Sequence, residues 1–331
     1  MIVATPHTTA ALGHRALHVA AANSGHIVAL SKDGLGSLIA PDHVTATRFQ
    51  LGFQVAGTAI SPDGKRLALL EDIGMSMVAL PDLVEEVRVA DIVEACLFSS
   101  SGSWLWSASH ANSNTAVLEI RDPTTGSVIV RTEVPDPFGS SSLMLFRYPT
   151  EDRVALWVAA GQDGQCLYWG NYDGSKLTTQ RFLDLTDTTP PSFDRSGDRF
   201  LVVSGGGVRL YAYPGGPELG RVVWPLDGDP PAETISFVDN EHAMVHSGNG
   251  RLFLIDLRQM QVVEEISIRG HEPRPVHELY PNLQRDQELC SDLSTFLPLA
   301  SGEFLSIHRE LPSASIVDWR DQLITWKIPH S

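Results

Sequence analysis

The sequence predicts an all-β fold, a seven-bladed β-propeller of four-stranded antiparallel blades, and three observations carry that prediction. First, an apolar strand runs into the turn Ser61-Pro62-Asp63-Gly64, and a second apolar strand, Arg66 to Leu70, leaves it. Pro62 presets φ for such a turn, and Gly64 takes φ > 0 at no steric cost. The same grammar returns in weaker form at Phe98 to Leu105, Phe193 to Leu201 and Phe237 to Met244. Second, a short strand ending in a polar turn begins near positions 27, 76, 116, 165, 208 and 251. That spacing of roughly 40–50 residues matches four short strands per repeat. Third, the segments are rich in Val, Ile, Leu, Tyr and Phe, are bounded by Gly, Asp, Pro and Ser, and show almost no long 3.6-residue period.

Blade one is expected at about 8–50, with 16–22 and 26–30 as its best strands. Blade two reads as 58–61, 66–70, 76–80 and 85–90, and blade three as 95–99, 104–108, 116–120 and 127–134. Blade four takes 143–147, 154–159, 166–169 and 178–185. Blade five takes 191–194, 200–203, 208–213 and 221–225, and blade six 233–238, 243–247, 251–257 and 262–269. Blade seven starts near Ser294, with 303–308 as its second strand. Its completion is open between two registers. If 322–328 is the third strand, residues 1–4 supply the outer one; if 315–319 is the third, then 323–328 is the outer strand and no N-terminal strand is needed. Either way the chain reads as one propeller domain over 1–331, interrupted by an insertion at about 270–292 between blades six and seven.

On the Ser61-Pro62-Asp63-Gly64 turn, third strands such as 208–211 and 251–256, and the pair Gly270-His271, the chain resembles the WD-repeat and YVTN-like superfamily of seven-bladed propellers. It departs from the WD pattern in lacking a Trp-Asp dipeptide, so the resemblance implies a fold and transfers no catalytic residue. Propellers of that superfamily include lactone hydrolases.

Composition narrows the function classes. Lys and Arg total 24 against 40 Asp and Glu, a formal charge of −16, and no basic stripe interrupts the acidity. Nucleic acid and anionic membranes are disfavoured as partners. Cys96, Cys166 and Cys290 are odd in number and form no CxxC, which argues against a disulfide framework, a zinc cage or haem attachment. No charged leader with a long apolar run opens the sequence, and a cytoplasmic protein is expected.

The repeat fails once. After the strand at 251, the next third strand falls at 315 or 322, and the extra chain is 270–292. Insertions in repeat folds map to loops, often on the binding face. His271, Glu272, Arg274, His277 and Tyr280 are therefore candidate partner-binding residues. Residues 281–290 read as a short helix. Asp72, His110, Asn112, Asp163 and Asn249 fall in loops between second and third strands and are candidates for the mouth of a central channel.

The other motifs read as structure. Gly205-Gly206-Gly207 and Gly215-Gly216 open no helix, so they are turns and not phosphate cradles. His242 and His246 lie on one strand, about 13 Å apart, too far to share a metal. Trp104, Trp106, Trp157 and Trp169 read as aromatic packing between blades. No catalytic residue, metal ligand set or cofactor motif is identified. The expected function is a non-catalytic scaffold that presents the insertion face to a protein or peptide. The alternative is an enzyme or small-ligand binder of lactonase type at the channel mouth.

Overall fold

The computed structural model describes residues 1–139, 141–149, 153–160, 164–185, 189–204, 206–213, 215–225, 229, 231–275, 289–290, 293–310 and 320–328. It is all-β, with no helix among the described residues, and its seven four-stranded antiparallel sheets are those of a seven-bladed β-propeller. Blades one and two are His18–Ala21, Ile27–Leu30, Leu35–Ile39, Ala46–Gln50 and Gly57–Ile60, Arg66–Leu70, Met75–Ala79, Val84–Val89. Blades three and four are Ala95–Phe98, Leu105–Asn112, Thr115–Arg121, Val128–Pro135 and Ser142–Arg147, Arg153–Ala159, Gln165–Tyr172, Leu177–Leu185. Blade five is Ser192–Phe193, Arg199–Ser204, Gly207–Ala212, Glu218–Val223, and blade six is Pro231–Phe237, His242–Ser247, Leu252–Asp256, Gln261–Ile268. Internal contacts divide the chain into two compact units. One comprises Met1–Ala16, Asp42–Ala46 and Ser192–Ser331; the other comprises Leu17–Pro41 and Thr47–Pro191.

The turn that sets the repeat is a hydrogen-bonded frame. The Ser61 amide donates to the Arg66 carbonyl at 2.9 Å and the Gly64 amide to the Ser61 carbonyl at 2.9 Å. The Ser61 hydroxyl donates to Asp63 at 2.6 Å and accepts the Arg66 amide at 2.9 Å. The frame recurs with Ser99, Gly102 and Trp104, and again with Asp194, Gly197 and Arg199. At Phe237 to Met244 the glycine is missing, and the Asp239 carboxylate takes its place by accepting the amides of Glu241 and His242 at 2.7 and 2.8 Å. An Asx-type turn thus replaces a positive-φ turn.

Blade seven consists of Leu293–Pro298, Phe304–Glu310 and Arg320–Trp326, with Pro6–Ala11 as its outermost strand. Neither expected register is realised whole. The third strand falls where the first register put it, but its neighbour is Pro6–Ala11, in antiparallel pairing with Ala10 opposite Leu323. Ile2–Ala4 instead pairs parallel with Ile266–Ile268 as a fifth strand on blade six. The reason lies in the side chains. Ala4 and Ala10 are buried, Ala4 in a cluster with Ile266, Phe296 and Trp326 and Ala10 opposite Leu323. The strand proposed at 315–319 lies outside the described residues.

Within each unit, apolar side chains fill the space between consecutive blades. Trp106 and Leu118 of blade three pack with Leu156 and Tyr168 of blade four. Gly170 permits the approach: a Cβ there would sit 2.6 Å from Leu118 and 3.0 Å from Val154. Trp106 and Trp169 are buried, as expected of inter-blade aromatics, and Trp104 meets Tyr172 edge-on at 5.3 Å. Burying a side chain of the size of Leu or Phe contributes about 1.5–3 kcal/mol. Cys96 and Cys166 are buried, the Cys166 sulfur accepts the Arg181 guanidinium at 3.0 Å, and burial pushes the Cys96 thiol up to about 12.

The insertion is an arm. Arg274–Pro275 pairs antiparallel with Leu289–Cys290. The expected helix at 281–290 is therefore corrected at its end: Leu289 and Cys290 are strand, because they complete a ladder with the outgoing chain. Residues 281–288 lie outside the described residues.

Candidate functional site

The foot of the arm is built on blades six and seven. Past the strand Gln261–Ile268, Gly270 has φ of 86°, which a side chain would oppose, and the chain turns there. The His271 amide donates to the Ile268 carbonyl at 2.8 Å, and the Gly270 amide donates to the Glu272 carboxylate at 2.9 Å. That hydrogen bond holds the Glu272 carboxyl below the usual carboxylate range. The His271 ring lies 4.1 Å from the His308 ring, tilted by 44°. His308 is buried in the second strand of blade seven. Its Nε2 is 2.8 Å from the Ser306 hydroxyl, which also accepts the Trp326 indole N–H at 3.1 Å.

Arg251 lies beside this foot. Its guanidinium donates to both Glu265 oxygens at 2.9 and 2.8 Å and lies 3.6 Å from Asp229. Hydrogen bonding to Glu265 raises the Arg251 pKa, and burial raises that of Asp229. Asn249 belongs to the same group, its amide donating to Asp229 at 2.9 Å. Arg251, His271, Pro273, Leu293 and His308 border a cavity of about 10 Å³. That is room for about one water and excludes a larger ligand. Arg274 is exposed at the arm's first rung, opposite Cys290. His277 and Tyr280 lie outside the described residues.

His110 stands at the far end of the blade three hairpin. Its Nδ1 is 2.8 Å from Glu94 Oε1 and its Nε2 is 3.1 Å from Asp136 Oδ2. Asp136 also accepts the amides of Phe138, Gly139 and Ser141 and the Ser141 hydroxyl. Burial opposes its ionisation, and these bonds with that from His110 outweigh it, so its pKa lies below the ordinary value. Asn112 is exposed and accepts the Asn114 amide at 3.0 Å, a turn contact. Asp72 is exposed next to Ile73, itself 75% exposed. Asp163 lies outside the described residues.

His110 joins Glu94 and Asp136, Asn249 joins Asp229 and Arg251, and Asp72 faces solvent. Both nitrogens of His110 face carboxylates, and Ser141 donates to Asp136, so no hydroxyl is activated by the imidazole. Among the described residues no group of three or more His, Cys, Asp or Glu could hold a metal ion, and no helix is long and apolar enough to cross a membrane. The sequence reading passed over Glu94, Asp136, Asp229, Arg251 and His308. Asp136 carries a local signal, since Asp between two prolines before Phe-Gly reads as a side-chain-capped turn. Glu94, Asp229 and Arg251 meet their partners through strand pairing within one blade, His308 meets His271 between blades six and seven, and none has a local signal. No family model matches the sequence, and none of the curated proteins compared with it is similar.

Proposed function

We propose that the protein is a non-catalytic interaction module of the WD-repeat or YVTN-like kind, and that the arm between blades six and seven docks a protein or peptide partner. The carrying observation is the arm's construction. Two short strands of the insertion pair next to a foot held by the His271–His308 ring contact and the His271 amide bond. A held foot lowers the entropy lost when the segment beyond it is captured. The titratable groups beside it also favour binding over chemistry. Arg251 is engaged by Glu265 and Asp229, and the cavity at the foot admits no substrate. A lactonase-type site needs a free base beside an activated water or hydroxyl, and His110 has neither nitrogen to spare. We place the module in the cytoplasm, in keeping with the buried thiol of Cys96.

The test is affinity capture from native lysate followed by mass spectrometry. The full chain is compared with a variant in which 272–290 is replaced by a short Gly-Ser turn. The arm lies outside the blades, so the variant's melting temperature stays near that of the full chain while the captured partner is lost. Alanine at Arg274 and Tyr280 together weakens capture by about 2 kcal/mol or more. An identical captured set from both chains overturns this placement.

A further inference from the structure

At the opposite end of the blade two strands from Asp72, the repeat turn borders a cleft of about 390 Å³. That volume falls within the range of small-molecule sites, about 300–1,000 Å³. Its apolar part comes from Phe98, which is 1% exposed, and from Leu80. Four charged side chains line the rest: Asp63, Lys65, Arg66 and Glu86.

The four charges are only partly spent on one another. Asp63 Oδ1 accepts the Ser61 hydroxyl and the Lys65 amide, and among the described residues Oδ2 takes no hydrogen bond. Glu86 Oε2 accepts Arg66 Nε at 2.9 Å, which leaves Oε1. The two terminal nitrogens of Arg66 and the ammonium of Lys65 make no ion pair among the described residues. The cleft thus offers unspent donors from two cations and unspent acceptors from two anions beside an apolar surface. A net anion meets two carboxylates there, and a net cation meets an ammonium and a guanidinium. A charge-separated molecule meets an opposite charge at each end.

We propose that this cleft binds a small zwitterion with an apolar body, of the amino-acid or dipeptide class. Its carboxylate faces Lys65 and Arg66, its ammonium faces Asp63 and Glu86, and its side chain lies on Leu80. This site is independent of the arm and of the partner proposed there.

The full chain is titrated by ligand-observed NMR and calorimetry with L-phenylalanine and glycyl-phenylalanine. Phenylacetate and phenethylamine serve as the two half-charged probes. At least one zwitterion binds about tenfold more tightly than either half-probe. Lys65→Ala and Glu86→Gln, both at exposed side chains, each weaken that binding by about tenfold with the melting temperature unchanged. No saturable binding of either zwitterion up to about 10 mM overturns the proposal. So does a half-probe that binds as tightly, or binding that survives both substitutions.

Discussion

His110 Nε2 and Asp136 Oδ2 are 3.1 Å apart, and the Asp136 side chain is fully shielded from solvent. The pair joins the end of the blade three hairpin to the turn that leads into blade four. Asp136 organises that turn through the amides of Phe138, Gly139 and Ser141, while His110 is held on its other side by Glu94. The contact is architectural: it spends a histidine and two carboxylates on fixing one loop.

Asp136→Asn keeps the shape and removes the charge. At neutral pH it costs about 2–3 kcal/mol, because a buried acceptor of several bonds becomes a weaker acceptor and a misplaced donor. The folded pKa of Asp136 lies below its ordinary value. Its stabilisation is therefore complete above the unfolded carboxylate pKa of about 3.9 and is lost as pH falls through the lower folded value. Urea unfolding at pH 7 shows the full difference between the two proteins, and the difference shrinks below about pH 3.9. The other depressed carboxylates are common to both proteins and cancel. A difference that does not change with pH contradicts the assignment.

The blades were legible in sequence because a turn is local chemistry. Ser61, Asp63 and Gly64 sit within four residues and close their frame on one another. The arm was legible as a failure of that period, though not its strands, since Arg274 and Cys290 pair across a stretch whose composition favours a helix. The N-terminal strands were only half legible. Pro6–Ala11 is too polar to advertise its pairing with Arg320–Trp326, and only one buried alanine, Ala10, separates it from an extended leader. Loop position alone marks His110 and Asn249 as polar loop residues, whereas their partners Asp136 and Asp229 lie 26 and 20 residues away and have no sequence signal that links them.

Gly64 and Gly302 separate backbone strain from steric conflict. Both have positive φ, 73° and 79°. A Cβ on Gly302 meets nothing within 4 Å, whereas one on Gly64 would sit 2.5 Å from Ser24 Oγ and 2.6 Å from His26 Nδ1. Gly302→Ala therefore costs the left-handed conformation alone, about 1 kcal/mol. Gly64→Ala adds displacement of the Ser24–His26 hydrogen bond, for about 2–3 kcal/mol in all. Chemical denaturation of the two variants measures the gap, and equal costs contradict the close contact.

The strand Pro6–Ala11 gives the sharpest test of how blade seven is completed. Its faces alternate: Ala10 is buried opposite Leu323, while Thr9 is exposed. The Thr8 and Thr325 hydroxyls meet at 2.5 Å across the same ladder, and the Leu12 amide continues it to the Asp321 carbonyl at 3.0 Å. Ala10→Asp forces a carboxylate into that apolar contact and costs about 3 kcal/mol or more. Thr9→Asp, one residue away on the solvent face, stays within about 0.5 kcal/mol of the parent. Ala4→Asp behaves like Ala10→Asp, since Ala4 is buried in the cluster with Ile266, Phe296 and Trp326. Were the outer strand of blade seven drawn from another part of the chain, residues 9 and 10 would tolerate aspartate equally. Thermal melts of the three variants at one pH decide between the two outcomes.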